Sequence, residues 1–461
     1  MQQRLVEFEN RAIGATGKEY VERVRGFQNL FNEAFGKDNR AASSMEFLSD
    51  YFKKAPLNRG VLKEFYHQLN STGASNLARE IARVYAETTS SLLEIGMNSL
   101  GLPPIYEPNW AISRIGKIVD HTAYLKIRNQ LDKVQLRPVL CLPKVAGNAQ
   151  FPESYKLANS GFLPYLQDHF EIVTDIKESE YYYHNTAASP FDCTFFKYSE
   201  SQYGHNKNFF SAVYKDILKE RVPTPSFKLK DQTVSIAETF LKPFGIGAND
   251  DYILMYVKET DRSSEKQWES KLIEPSIFLD TINWFLKIGL KVVRIGHSKM
   301  TKFPSRTGLI DLTSIERPGE VDIYLCASAK FYLGSRSGPY SLANNFGVTC
   351  AIPALLPYGE QRAGDFNDFQ KLEDKRTGRT LNMKEIADRG LANVNSIIAF
   401  QREGVVLRFP TSRNLLMFAK ETLDYVEGCK VFQENKEKEL ELHQQGIYSG
   451  LSSSSLALLA C

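Results

Sequence analysis

The sequence predicts an α/β protein: two units with parallel sheets, preceded by an α-helical N-terminal region. Three observations carry that reading. Short, almost wholly apolar runs recur between 252 and 353 at gaps of about 15 residues, which suits parallel strands joined by crossovers of a dozen residues or more. A second, shorter stretch around 111–143 alternates apolar run, helical stretch and apolar run, the pattern of a βαβ unit. Before both, apolar residues step by three and four, the period of one helix face.

In chain order, Val21, Val24, Phe27, Phe31 and Phe35 form one helical stripe, and Leu77, Ile81, Val84, Thr88, Leu92 and Ile95 another. Lys54–Pro56 and Ser71–Gly73 break this region into several helices. It is either a packing appendage or a surface for a protein partner. Leu100–Pro104 with Pro108 reads as a linker, because its three prolines remove backbone donors. Ala111–Ile115 is a short apolar run closed by Gly116, Val119–Leu131 is helical, and Pro138–Pro143 is a strand. From 144 to 222 the pattern is poor and rich in aromatics, among them Tyr181, Tyr182, Tyr183, Phe195, Phe196, Phe209 and Phe210. These are either core and loops or the wall of a concave acceptor surface. Pro223 and Pro225 mark a second linker, and Ser235–Leu241 is a helix.

Tyr252–Val257 follows as a buried strand, then a helix over Pro275–Lys287 with proline near its start, where a missing N–H costs nothing. Lys291–Ile295 and Leu309–Thr313 are strands, Val321–Ser328 a short buried helix, and Lys330–Gly334 a strand. Pro339–Gly347 is a helix ending on glycine, and Val348–Pro353 reads as the last strand. Asn435–Gln445 is a charged, solvated helix, and the final residues fray. The expected domains are 1–105 (helical), 106–232 and 233–445 (both α/β), with a flexible tail over 446–461.

Composition excludes several classes. The 461 residues are 43% hydrophobic and 24% charged, which is globular rather than disordered or coiled-coil. With 57 basic against 54 acidic side chains the net charge is +3, too balanced for a protein built to wrap nucleic acid. The six cysteines (141, 193, 326, 350, 429 and 461) include no CxxC pair, so buried free thiols in a reducing compartment are expected. No secretory leader, prenylation box or membrane-length apolar run is visible, which points to a cytoplasmic protein.

Three polar clusters fall at one predicted sheet edge, the carboxyl ends of the later strands, where open α/β sheets bind ligands. The first is Gly334-Ser335-Arg336-Ser337-Gly338-Pro339, between a buried strand and a helix start. Glycines permit a tight turn, helix N–H groups attract an anion and Arg336 adds charge, so a diphosphate fits; a simple capped turn fits too. The second is Arg294, Gly296 and His297 at a strand end, where Arg294 grips phosphate or pairs at the surface. The third is Lys258 and Glu259 after Val257: Glu259 orients a sugar, or the loop is only a charged face. In the first unit, Asp120 and His121 follow Gly116 and Lys117. Either is a candidate general base, or both decorate a helix start. No HExxH, His pair or DxD in clear context appears, so no metal is expected and a metal-independent site is favoured.

These residues carry a resemblance. Val292–Met300, Leu309–Thr313, Val321–Gly347 and Ala354–Pro357 resemble a family of bacterial glycosyltransferases with a GT-B-like C-terminal domain, themselves distantly similar to fucosyltransferases. The match lies in Arg294 and Gly296 ending a strand, Asp322 at the short helix, and the turn of Gly334, Ser337 and Gly338. It is best over about 250–357, fainter over 111–145, extends to Leu381–Gly390 and Phe409–Gly428, and leaves 1–100 uncovered. Tyr256, Lys258, His297 and Lys117 depart from the family's His, Arg, Asp and His at those places, while Glu259 is kept.

The resemblance implies two Rossmann-like domains in GT-B-like arrangement, the first for the acceptor and the second for a nucleotide-sugar donor, which is a substrate and not a cofactor. It also implies a transfer to a glycan or glycoconjugate hydroxyl, in surface polysaccharide synthesis. Lys258, Gly296, His297, Asp322, Gly334, Ser335, Arg336, Ser337 and Gly338 then line the donor site. Glu259, Arg294, His121 and Asp120 are the catalytic candidates. An acceptor carried by a membrane leaves peripheral attachment at its inner face open. The lost His and Arg also admit a non-catalytic nucleotide-sugar or glycan-binding scaffold, or hydrolysis or epimerisation of the nucleotide sugar.

Overall fold

A computed structural model of the chain describes residues 66, 75–107, 112–143, 156–199, 202–205, 227–248, 250–259, 273–358, 361–362, 364–392, 394, 397–428, 450–451 and 454–455. They fall into two compact units: one takes the described residues up to Ser91 with Phe195–His205, the other the described residues of Leu92–Thr194 and Asn206–Cys461. The predicted stripe at Val21–Phe35 and the helix at Asn435–Gln445 lie outside the described residues.

Helix α1 (Ser75–Ser99) buries Ala78, Ile81, Ala82, Tyr85, Ala86 and Thr89. This face lies mostly one residue on from the predicted stripe, about 100° round the helix. Ile95 of that stripe is exposed. Ala78, Ala82 and Ala86, four residues apart, share this packed side with Ile81 and Tyr85, so the large aliphatics alone do not mark it.

The second unit begins with β1 (Ile105–Tyr106), α2 (Ile115–Leu131), β2 (Val139–Cys141), α3 (Leu163–Gln167), β3 (Glu171–Val173), α4 (Ile176–Asn185) and β4 (Pro190–Phe191). The strands form a parallel sheet in the order β3-β2-β1-β4. Its first strand therefore lies inside the predicted linker, and of the predicted strand at Ala111–Ile115 the described residues 112–114 lead into α2, which Ile115 opens. The prolines explain the miss: Pro104 has no N–H to offer the ladder, yet its carbonyl accepts from Val139 N at 2.7 Å, so proline stands at the strand entrance.

Antiparallel β5 (Phe195–Ser199) and β6 (Gln202–His205) belong to the first unit. There Phe195 meets the rings of Tyr66 and Tyr85 at 4.7 and 4.8 Å, and Tyr203 donates to Glu87 Oε1 at 3.0 Å.

The rest of the second unit holds α5 (Asp231–Leu241), β7 (Tyr252–Tyr256), α6 (Leu279–Lys287), β8 (Lys291–Arg294), β9 (Leu309–Asp311), α7 (Gly319–Ser328), β10 (Phe331–Gly334), α8 (Gly338–Asn345) and β11 (Cys350–Leu355). After these come β12 (Phe366–Phe369), β13 (Lys371–Asp374), α9 (Met383–Asp388), α10 (Ile397–Arg402), β14 (Val405–Arg408), α11 (Ser412–Val426) and β15 (Gly450–Leu451). The predicted strands and helices from 252 to 347 are found in place. Val348–Pro353 is not the last strand, because β12 follows it in the sheet.

The seven-stranded sheet has the order β9-β8-β7-β10-β11-β12-β15, with every pair parallel. Counted from β7, the first six strands read 3-2-1-4-5-6, the Rossmann order, and the smaller sheet follows the same 3-2-1-4 start. Alternation along β7 sends Ile253, Met255 and Val257 into one core with Ile282 and Phe285 of α6 and Leu415, Phe418 and Ala419 of α11. Two residues from the expected tail, Gly450 and Leu451, pair with β12, and Ser455 Oγ accepts from Phe369 N at 2.6 Å. No helix among the described residues is long and apolar enough to cross a membrane.

Candidate functional site

The strand order reverses between β7 and β10, and the crevice at their carboxyl ends is where a sheet of this order accepts a ligand. Gly334 ends β10 at φ +146°, opposite Tyr256 of β7. A Cβ there would lie 1.9 Å from the Tyr256 carbonyl oxygen, so only glycine lets the two strand ends close up. Ser335 N donates to that same oxygen at 2.9 Å, and Lys258 N donates to Ser335 Oγ at 2.9 Å. Ser335 is thus a buried staple between the strand ends. Ser337, extended at φ −159°, holds the N-cap position of α8 without a capping bond from its hydroxyl, which sits 3.2 Å from the Tyr332 hydroxyl. With the cap unmade, the positive end of α8 faces the crevice.

The N-terminus of α2 meets this mouth. A Cβ on Gly116 would fall 3.1 Å from Gly338 Cα, and one on Gly338 would strike Ile115 Cγ2 at 2.4 Å. A turn further on, Asp120 of α2 accepts from Asn345 Nδ2 at 3.2 Å and Ser341 Oγ at 3.4 Å, both on α8. The helices therefore run side by side with both amino ends at the crevice, and half-buried Arg336 stands just before α8.

Asp120 and His121, the candidate bases, are both engaged. Arg362 clasps Asp120 with two bonds, 2.9 and 2.6 Å, and both side chains are at most 15% exposed. His121 is buried with Nδ1 2.6 Å from the Tyr106 hydroxyl. Arg294 is likewise occupied. Its fully buried guanidinium pairs with Glu259 at 2.9 Å and Asp311 at 3.0 Å, donates to the Thr301 carbonyl at 2.6 Å and lies 4.1 Å from the Phe303 ring centre. Glu259 Oε2 accepts from Thr301 N and Oγ1 at 2.8 and 2.7 Å. Arg294 thereby ties the ends of β7, β8 and β9 together and holds the loop after β8. Asp322, in the first turn of α7, binds Arg317 Nε at 2.6 Å; the same guanidinium donates to the Leu312, Ile315 and Gly296 carbonyls. Gly296 sits at φ +158° and His297 is exposed on the loop that follows.

Behind the mouth lies a cluster that the sequence did not announce. The Tyr340 hydroxyl donates to Asp365 Oδ2 at 2.6 Å, and Asn344 Nδ2 donates to Oδ1 at 2.9 Å. The guanidiniums of Arg336 and Arg362 stand 5.5 and 4.9 Å from the Tyr340 ring centre. Burial pushes the Asp365 carboxyl up to about 7, against the pull of Tyr340, Arg362, Arg336 and Asn344. Burial also lowers the Arg336 guanidinium. The partners Arg317, Arg362, Asp311 and Asp365 were unforeseen; only Asp311, an acid inside an apolar strand, carried a local hint.

No family model matches the chain, and no curated protein matches it. Among solved structures it is similar to a family 9 glycosyl transferase from Veillonella parvula DSM 2008, with 12% identity, TM-score 0.32, and coverage of 55% of this chain and 82% of the other. It is also similar to E. coli ADP-heptose LPS heptosyltransferase II, at 10% identity, TM-score 0.33, and 58% and 89% coverage. A third similarity is to TibC, an iron-containing dodecameric glycosyltransferase from enterotoxigenic E. coli H10407, at 15% identity, TM-score 0.20, and 25% and 30% coverage. At these scores and identities no activity follows from the likeness.

Proposed function

We propose that this chain is a glycosyltransferase that moves a sugar from a nucleotide-diphosphate donor to a hydroxyl of a glycan or glycoconjugate acceptor, as in surface polysaccharide synthesis. Residues 233–445 would form the donor domain, 106–232 the acceptor domain, and 1–105 a region open to a protein partner. The observation that carries the reading is the mouth of α8: an N-terminus without a side-chain cap, at the switch point of a Rossmann-ordered sheet, beside Arg336 and against the N-terminus of α2.

In a transfer the leaving diphosphate gains negative charge as the glycosidic bond breaks. The first-turn N–H groups of α8, with Arg336 and Lys258, would hold that charge without a metal. Gly334, Ser335, Ser337 and Gly338 would let the phosphates approach the backbone. Glu259, fixed by Arg294 and Thr301, would serve as a rigid wall beside Gly296 and His297, and Asp322 would act through Arg317 on the same loop.

The test is calorimetric titration with UDP-, GDP- and CMP-sugars. One diphosphate donor is expected to bind, and Arg336→Ala to weaken it by roughly tenfold, the worth of one charge-assisted hydrogen bond. Binding of none of them overturns the reading. A second reading, a non-catalytic nucleotide-sugar or glycan binder, is favoured by one observation: Asp120, His121, Glu259 and Arg294 are all held by internal partners. Sustained donor turnover by the purified protein would rule it out.

A further inference from the structure

We propose that Tyr332 is a positioning residue for the diphosphate subsite: by drawing the Ser337 hydroxyl inward, it keeps that side chain from capping its own helix and leaves the Tyr340 N–H to a phosphoryl group of the ligand. The inference rests on the α8 mouth being that subsite, and it adds what keeps the mouth open. Alternation along β10 sends Phe331 and Leu333 into the core shared with α6 and α11. Tyr332 faces the other way, fully buried, with its ring 6.3 Å from that of Tyr340 on α8. Its hydroxyl donates to the Ser335 carbonyl at 2.5 Å and stands 3.2 Å from Ser337 Oγ. A phenol has one proton, and burial holds it on by raising Tyr332 well above its ordinary value. With that proton given to Ser335, the Ser337 hydroxyl is the donor in the second contact.

The start of α8 has few donors to spare. Ser341 N already donates to the Ser337 carbonyl at 3.1 Å, closing the first turn. Of the three helical residues before it, Pro339 has no N–H, which leaves Gly338 N and Tyr340 N. Serine is a preferred N-cap, and its oxygen takes the N–H of the second or third helical residue. Here the second is proline, so a cap could take only Tyr340 N. The backbone of Ser337 is already extended, as an N-cap requires, so only its side chain has to turn. Cap and ligand thus compete for one of two donors, and the bond to Tyr332 decides for the ligand.

The probe is inorganic pyrophosphate, followed by the amide chemical shifts of Gly338 and Tyr340. Tyr332→Phe keeps the ring and releases Ser337, and its affinity is expected to fall about fivefold, the scale of one N-cap bond. Adding Ser337→Ala to that variant removes the competing cap and should return the affinity to that of the parent. Lost support at the Ser335 carbonyl would not be rescued in this way, so a fall without rescue overturns the inference, as does no fall at all. The parent gives a check that needs no variant: the Tyr340 N–H should exchange quickly with solvent in the free protein and slowly once pyrophosphate is bound. A Tyr340 N–H already protected in the free protein overturns the inference, and the subsite survives if pyrophosphate still binds. Absence of shifts at Gly338 and Tyr340 at every pyrophosphate concentration removes the subsite and the inference together.

Discussion

Arg294 is the residue where burial decides the role. A guanidinium at 0% exposure with two carboxylates is held by its partners, and truncating it leaves Glu259 and Asp311 uncompensated. Arg294→Ala should lower the unfolding free energy by about 3–5 kcal/mol in urea titration. Gly334→Ala should be costly for a different reason, since its Cβ has no room against Tyr256; a loss of about 3 kcal/mol or more is expected by thermal melting. Asp365 gives a signed pH dependence. An unfolded aspartate titrates near 3.9, and this one near 7 in the fold. Between those values the unfolded chain has lost its proton while the folded one keeps it, so its contribution to stability falls as pH rises and levels off above about 7. The stability of Asp365→Asn relative to the parent should therefore climb between pH 4 and 7, with a ceiling of about 4 kcal/mol; a flat difference would contradict the shift. Gly334, Ser337 and Gly338 were legible in the sequence because their neighbours in the chain are the strand and helix that use them. The Asp120–Arg362 pair was not: its members are 242 residues apart and meet only in the folded unit.

Among the elements, β7, β10 and β11 were readable because they are largely buried and their sequences are continuous apolar runs, and β8 through its Val292-Val293 centre. β1 was not, because two residues between prolines carry no period at all. β12 was hidden by its polar residues: Asn367 is fully buried in a strand that reads Phe-Asn-Asp-Phe. β15 was hidden by its length, and its value lies in what it covers. It pairs with the outer edge of β12, and Ser455 accepts the Phe369 N–H. Truncation after residue 449 should expose that edge, speed amide exchange at 366–369 and cost about 1–3 kcal/mol for the orphaned donor. Unchanged exchange there would show that the strand contributes nothing to the sheet.

At the scale of the whole second unit, two parallel sheets of like strand order bring the amino ends of α2 and α8 together, and no local pattern reveals that. The sequence placed Gly116 at a strand end; the structure puts it in the first turn of a helix packed against Gly338. The Asp120–Arg362 pair locks this packing one turn behind the mouth. What that mouth binds decides the function. Backbone amide shifts followed during titration with GDP and with UDP test it most directly. Saturable shifts at Gly338, Tyr340 and Gly116 with one shared dissociation constant, weakened by Arg336→Ala, are the predicted result. Shifts confined to other parts of the chain, or none, would contradict it.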